Sequence, residues 1–303
     1  MRNLRSAVLS SLAVGLFSLS QLHCGPAPEP NVPGPTPPPT ATPTAEPTSA
    51  PTAAPTAAPT ATASAEAKPA APPHWTYHGE EGPEKWGELS ADYATCKSGT
   101  SQSPIDIVTK KAESDKALKL IELNYGAAIP LQIFNNGHTV QVQSNGAATM
   151  KAAGGEWKLV QVHFHAPSEH SIDGKLLDME AHFVHANDKG EIAVVGLLFK
   201  KGKENKALTP VFEHIPTDVT KEAAPVAGAT IDLAKILPEK PAFYTYTGSL
   251  TTPKCTEGVR WVVLKPTAEI SDAQLQKFKG AVHGENNRPV QPLGNRKVFF
   301  VSK

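Results

Sequence analysis

The sequence predicts a mainly β protein: one globular domain around a large, predominantly antiparallel twisted sheet, with short helices at its periphery. Three observations carry this expectation. Apolar and polar residues alternate in several short runs, the period of strands that bury one face. Two other runs are continuously apolar, as strands covered on both faces are. Helical periodicity is confined to a few short segments, and the strand–helix–strand rhythm of a parallel α/β fold is missing.

In chain order, the alternating candidates are Leu131-Gln-Ile-Phe-Asn135, Val140-Gln-Val-Gln143, Lys158 to His165 and Met179 to His185. The continuous apolar runs are Ile192 to Phe199 and Arg260 to Leu264. Helices are expected over Asn205–Ile215, Ile231–Ile236 and Ser271–Ala281. Ser271 is the expected N-cap of the last, because its side-chain oxygen can accept from a free N–H of the first turn.

These elements lie in the C-terminal part of the 303 residues, and what precedes them is of another kind. Residues 1–24 open with Met-Arg-Asn-Leu-Arg, continue through an apolar run from about Ala7 to Leu22 and end at Cys24. That run is short of the ~20 apolar residues of a membrane span and reads as an export signal. Cys24 stands where a lipoprotein carries its acylated cysteine, although His23 is bulky for the position before it. Acylation at Cys24 and ordinary cleavage, for example after Ser20, both remain open. Residues 25–73 are almost entirely Pro, Thr and Ala. Such a stretch has little apolar surface to bury and reads as a disordered, semi-rigid spacer.

The domain expected over 74–303 holds all four Trp and all five Tyr, and is long enough to bury a core without staples. Equal numbers of basic and acidic residues, 29 of each, give no electrostatic case for a nucleic-acid partner. Cys96 and Cys255 both fall in this domain and can pair in an oxidising compartment.

The chemistry is expected in two of the strands. Side chains at i and i+2 share a face, so Gln161, His163 and His165 emerge together while Val162 and Phe164 point away. Glu180, His182 and Val184 share a face in the same manner, and on a neighbouring strand His182 brings a third imidazole. Three neutral imidazoles with one open position suit a catalytic zinc site, though cobalt or iron also fit such a set. Spacing alone leaves metal binding and ordinary packing both open.

The motifs go further. Gln161-Val-His-Phe-His-Ala-Pro-Ser-Glu-His170 and Glu180-Ala-His-Phe-Val-His185 resemble the two zinc-ligand signatures of the α-class carbonic anhydrases, of the bacterial, exported type. His74-Trp-Thr-Tyr77, Gly82-Pro-Glu-Lys-Trp86 and Gln102-Ser-Pro-Ile-Asp106 are similar to the family's N-terminal motifs. Asn135-Asn-Gly-His138 resembles its shuttle loop, Tyr246-Thr-Gly-Ser-Leu-Thr-Thr-Pro253 its active-site loop and Asn286-Asn-Arg-Pro-Val-Gln-Pro292 its C-terminal signature. The resemblance covers nearly all of 74–303. It implies a sheet of about ten strands with one zinc ion per chain at the bottom of a conical cleft.

It also implies roles. His163, His165 and His182 become the zinc ligands, with Gln161 and Glu180 fixing their rings. Thr251, its proton given to Glu169, orients the attacking oxygen, and Thr252 lines the bicarbonate site. Val184, Val194, Leu250, Val259 and Trp261 become the apolar wall for CO2, although each alone would suit ordinary packing. His138 becomes the proton shuttle, with Tyr77, Asn136 and Gln141 ordering the waters that lead to it. His170 and His185 resemble buried structural histidines. Cys96 and Cys255 fall where exported members carry a disulfide. The implied reaction is reversible hydration of CO2 to bicarbonate and a proton by zinc-activated hydroxide, chemistry for which this family is itself the standing example. The implied location is the periplasm or cell surface, with a membrane tether if Cys24 is acylated. Two rivals are an esterase on the same metal and a binding module that keeps the fold without catalysis. The second is disfavoured by the presence of all three histidines with Thr251 and Glu169.

Overall fold

The computed structural model describes residues 73–152 and 155–302. The expected export signal, Cys24 and all but the end of the Pro/Thr/Ala-rich stretch lie outside the described residues.

Among the described residues sixteen strands follow one another. The first six are β1 (Asp106–Ile107), β2 (Glu113–Ser114), β3 (Glu122–Asn124), β4 (Ile129–Asn135), β5 (Val140–Gln143) and β6 (Thr149–Ala152). Then come β7 (Gly155–His165), β8 (Ser171–Ile172), β9 (Lys175–Leu176), β10 (Met179–Ala186) and β11 (Ile192–Lys201). The last five are β12 (Ala224–Ile231), β13 (Phe243–Ser249), β14 (Glu257–Leu264), β15 (Ala268–Ile270) and β16 (Phe299–Val301). Four α-helices accompany them: α1 (Trp86–Leu89), α2 (Thr95–Ser98), α3 (Thr209–Glu213) and α4 (Asp272–Ala281).

Thirteen strands form one sheet, with the order β12-β4-β5-β7-β10-β11-β14-β13-β16-β2 along its main path. That path alone holds the ten strands expected; β3, β6 and β15 pair off it. The sheet is mixed, since β11 runs parallel to β14 and β15, and β16 parallel to β2. The central β4-β5-β7-β10-β11 ladder is antiparallel throughout.

Alternation decides which side each residue serves. Val162 and Phe164 of β7, Ala181 and Phe183 of β10, and Ala193, Val195, Leu197 and Phe199 of β11 all enter the larger core. Val194 and Leu198 of β11, with Val259, Trp261 and Val263 of β14, enter a second cluster on the other face. This explains why β11 reads as continuously apolar: both of its faces are covered. The helices α3 and α4 cover the larger core, where Phe212 and Phe278 lie 6.0 and 6.2 Å from the Phe164 ring. Each fully buried Phe contributes roughly 1.5–3 kcal/mol.

The helix expectations fared unevenly. Ser271 does cap α4, its side chain accepting from the Gln274 N–H while Gln274 reaches back in a capping box. The helix expected over Asn205–Ile215 shrinks to Thr209–Glu213. Asn205 holds a turn before it, its Oδ1 accepting from the Leu208 N–H, and Pro216 keeps Ile215 out of the helical region. No α-helix forms over Ile231–Ile236. Ile231 ends β12, Asp232 is extended, and only a 3-10 turn over Leu233–Lys235 follows before Pro238.

Cys96 and Cys255 are joined in a disulfide, with Cα atoms 5.0 Å apart and 159 positions between them in sequence. Closing so long a loop stabilises the fold by roughly 5 kcal/mol in the chain-entropy description. The bridge packs with Trp86 and Tyr93, joining the N-terminal segment to the loop that follows β13.

Candidate metal centre

Strand register assembles the centre. On one rung Gln141 of β5 pairs with His163 of β7, His163 with His182 of β10, and His182 with Gly196 of β11. On the next rung of the same face, two residues away, Gln161 pairs with Val184, Val184 with Val194 and Val194 with Trp261. On the other side His165 pairs with Glu180. The imidazoles and the apolar side chains therefore come out side by side on adjoining strands.

The three rings lie with centroids 4.6 to 5.1 Å apart, and a nitrogen from each falls within 4.8 Å of the others. Nδ1 of His163 is 2.8 Å from Gln161 Oε1, and Nδ1 of His165 is 2.8 Å from the Asn286 carbonyl oxygen. An amide or carbonyl oxygen only accepts, so both Nδ1 atoms carry hydrogen and both Nε2 atoms keep a lone pair. His182 is held from its other side: Nε2 is 3.0 Å from Glu180 Oε1, within reach though off the axis of a good hydrogen bond. This leaves Nδ1 of His182 free.

Burial pushes all three imidazoles toward the neutral form that metal ligation requires. His163 falls well below the ordinary histidine range through burial, and then through His165 and His182 beside it. His165 falls to about 4, again chiefly through burial. His182 is lowered by burial against the opposing pull of Glu180. Nε2 of His165 is buried without a hydrogen-bond partner, which costs stability unless something binds it. Three neutral nitrogens converging on one point, one of them an orphan, fit a tetrahedral cation such as zinc.

Two carboxylates lie behind the rings. Glu180 accepts at Oε2 from the backbone N–H groups of Glu169 and His170 at 3.0 and 2.8 Å, and its Oε1 is 2.8 Å from His170 Nδ1. Burial alone would raise its pKa, but the attraction of His170 and His182 outweighs it, and the carboxyl titrates well below its usual range. His170, Glu180 and His182 also form a metal-like cluster, but their facing atoms are already engaged with one another. Glu169 is pushed up to about 7 by burial, opposed by His182, by the Arg288 N–H that donates to its Oε1 at 2.8 Å, and by Thr251. The Thr251 hydroxyl thus lies in range of Glu169, although Oε2 makes no well-aligned hydrogen bond.

The other expected residues fall around this centre. Val194, Val259 and Trp261 are buried in the second core cluster, with Val184 and Leu250 packed against it. Thr251 is buried and Thr252 half-buried in a loop closed by the Cys255 N–H donating to the Thr252 carbonyl. Tyr77 packs among Trp75 and Trp86, and its hydroxyl is pushed well above the usual range by burial and then by the Glu169 charge. His138 is half-buried, its ring stacked on Trp75 at 3.7 Å and 6°. Asn136 Oδ1 accepts from the His138 and Thr139 N–H groups, which shapes the turn and leaves only the amide NH2 for water. Gln141 donates to Gln143 at 3.3 Å.

Sequence reasoning gave no role to Asn286 and Arg288. Asn286 uses its carbonyl on His165, its Oδ1 on the Ala166 N–H and its Nδ2 on the His138 and Phe164 carbonyls. Arg288 is buried and its guanidinium donates to Gln102 Oε1 and to the Ser103 and Cys96 carbonyls. Both stand in the Asn286–Pro292 motif, the one signal that pointed to them.

Three comparisons bear on this geometry. Residues 81–302 match the family profile described as eukaryotic-type carbonic anhydrase. A carbonic anhydrase of Klebsiella pneumoniae is 43% identical over 228 residues, covering 75% of this chain and 90% of that protein. One from Neisseria gonorrhoeae is 41% identical over 227 residues, covering 75% and 87%. Among solved structures, the α-carbonic anhydrase of Thermovibrio ammonificans in complex with the inhibitor sulfanilamide superposes with a TM-score of 0.71 at 45% identity. It covers 76% of this chain and all of that one.

Proposed function

Because this chain belongs to the eukaryotic-type, or α, carbonic anhydrase family, we propose that it hydrates CO2 reversibly at one zinc ion held by His163, His165 and His182. The observation that carries the proposal is the convergence of three neutral imidazoles, His165 and His182 buried and His163 half-buried, each with its opposite nitrogen facing an acceptor. Nε2 of His163 and His165 and Nδ1 of His182 are the nitrogens left to hold the ion. When bound, zinc is a Lewis acid that makes water nucleophilic near neutral pH, the effect for which this family is the standing example.

The residues around it divide the remaining work. Thr251 gives its hydroxyl hydrogen to Glu169, so its oxygen can only accept, and this fixes the direction of the attacking oxygen. Val184, Val194, Leu250, Val259 and Trp261 offer CO2 an apolar berth and displace water from it. Thr252 lines the position taken by bicarbonate. His138 at the rim takes the proton released at the centre, through waters ordered by Tyr77, Asn136 and Gln141. Gln161, Glu180 and the Asn286 carbonyl hold the three ligand rings.

The Cys96–Cys255 bridge supports an exported protein, since disulfides persist in oxidising compartments. We assign residues 1–24 as the export signal, with Cys24 the acylation position if a membrane tether exists, residues 25–73 as the spacer and residues 74–303 as the catalytic domain. Periplasm and cell surface are the two locations this allows.

The test is metal removal and return. Dialysis against a chelator should abolish CO2 hydration, and zinc should restore it with an end point of one ion per chain. Undiminished hydration in metal-free protein would overturn the assignment.

A further inference from the structure

A buried row of polar groups leads to Glu180 and His182 from behind the centre, and its outer members, Ser249, Ser103, Tyr246 and His170, have no part in the chemistry above. Ser249 N–H donates to Ser103 Oγ at 3.0 Å, Ser103 Oγ is 2.8 Å from Tyr246 Oη, and Tyr246 Oη is 2.8 Å from His170 Nε2. His170 Nδ1 is 2.8 Å from Glu180 Oε1, the oxygen that faces His182 Nε2. All six residues are buried. Resting on the zinc reading, we propose that Ser103, Tyr246 and His170 are positioning residues that set the tautomer of His182 through Glu180 and so slow the loss of zinc.

The polarity of the row follows from what each atom can do. An ionised Glu180 only accepts, so His170 Nδ1 must carry hydrogen. With its one ring hydrogen on Nδ1, His170 keeps a lone pair at Nε2 and accepts there from the Tyr246 hydroxyl. The Tyr246 oxygen accepts from the Ser103 hydroxyl, and Ser103 accepts from a backbone N–H that can only donate. Every donor points toward Glu180, which concentrates negative charge on the carboxylate facing His182. That carboxylate holds hydrogen on Nε2 of His182 and leaves the lone pair on Nδ1. In a buried network each bond polarises the next, so deleting a far hydroxyl is felt at the near end.

Two glycines independently mark the row as a constraint. A Cβ added at Gly196 would lie 2.7 Å from Glu180 Oε1. One added at Gly248 would overlap Ser103 Oγ and lie 2.7 Å from a ring carbon of Tyr246. Both glycines sit inside strands, β11 and β13, where glycine ordinarily weakens the strand. Their want of a side chain leaves room for three members of the row, Glu180 beside Gly196 and Ser103 with Tyr246 beside Gly248. The Trp261 ring stacks parallel to Tyr246 at 9° and also lies 4.7 Å from His170 and 4.8 Å from His182, which fixes all three rings laterally.

The structure supplies its own control. Tyr125 Oη is also 2.8 Å from a buried histidine nitrogen, Nε2 of His185, but that pair lies in the larger core and leads to no metal ligand. Zinc release from the full-length holoprotein into excess chelator should be about tenfold faster in Tyr246→Phe, the low end for groups that support a ligand. Tyr125→Phe should release zinc at the wild-type rate. Ser103→Ala, one bond further out, should quicken release by a smaller factor and serves if Tyr246→Phe does not fold. Wild-type release rates in both Tyr246→Phe and Ser103→Ala would overturn the proposal, as would equal acceleration in Tyr125→Phe. Failure of the wild-type protein to hold zinc would instead remove the zinc reading on which the proposal stands.

Discussion

On β7 and β10 the side chains that point one way are Gln161, His163, His165, Glu180, His182 and Val184; those that point the other way are Val162, Phe164, Ala181, Phe183 and His185. Val184 apart, the first set is polar, with its atoms committed one by one to named partners. The second set is almost wholly apolar and packs against β11, α3 and α4. The first face spends stability, because buried polar groups are at best nearly neutral against water. The second supplies stability and, by locking the backbone, fixes where the first face's rings point. Each imidazole of the centre is thus flanked in sequence by an apolar residue that anchors its strand. His185 is the exception that sharpens the contrast, a histidine on the core side.

If the faces divide labour in this manner, neighbouring residues should fail in opposite ways. His182→Ala should reduce CO2 hydration by more than about a thousandfold, over 4 kcal/mol of barrier, while the melting temperature stays near that of zinc-free wild type. Phe183→Ala should cost about 3–5 kcal/mol of stability through the cavity it leaves, with the surviving folded fraction still binding zinc. Hydration assays, zinc content and denaturant melts on both variants decide it. Wild-type activity in His182→Ala, or a Phe183→Ala protein that loses zinc but no stability, would break the comparison.

The core-side histidine gives the second test. Burial pushes His185 down to about 4, and the nearby backbone of Phe183 and Ala193 only partly offsets this. Because that value lies below the unfolded one, near 6.5, the unfolded chain takes up the proton first. The stability that a neutral His185 contributes is therefore fully present above about pH 6.5 and is lost as pH falls toward 4. The loss reaches about 3 kcal/mol. His185→Gln should flatten this acid limb relative to wild type, both zinc-loaded and melted at a series of pH values. Parallel pH curves would show that His185 does not titrate on the core side as described.

The division between faces was legible in the sequence because a strand's period is two, which put His163 with His165 and His182 with Glu180, although spacing alone left metal binding and ordinary packing both open. The long apolar strands were equally plain. What escaped shares one physical character: it depends on partners distant in sequence. Asn286 holds His165 with a backbone carbonyl, an atom every residue possesses, across 121 positions. Tyr246 meets His170 across 76. β13, Phe243-Tyr-Thr-Tyr-Thr-Gly-Ser249, has only a short alternating stretch, and which cluster each face enters, Phe243 the first and the two tyrosines the second, depends on its distant neighbours. The helix expected over Asn205–Ile215 is shorter than its periodicity predicts because Asn205 forms a turn at its start and Pro216 follows its end. Within the centre, the candidate ligands followed from the resemblance of their motifs rather than from spacing alone, and which nitrogen of each ring faces inward came only from the partners on the far side.

The smallest expected effect concerns the rim, which differs from the floor in being half-open. His138 lies on the turn between β4 and β5, stacked on Trp75 and 6.5 Å from the His74 ring. Burial and His74 lower its pKa, so it is mostly neutral and ready to accept a proton at neutral pH. On the proposed reading, the attack on CO2 needs the zinc-holding histidines, Thr251 and the apolar wall, none of which involves His138. Regenerating the nucleophile needs a proton to leave, and that step follows the attack. His138→Ala should therefore lower kcat about tenfold in dilute buffer, some 1.4 kcal/mol, and leave kcat/KM unchanged. Concentrated imidazole should restore most of the lost kcat by carrying the proton itself. An equal fall in kcat and kcat/KM would place His138 in the attack, on the floor side of the comparison. No fall in either would assign proton release to another group and leave His138 a turn residue packed on Trp75.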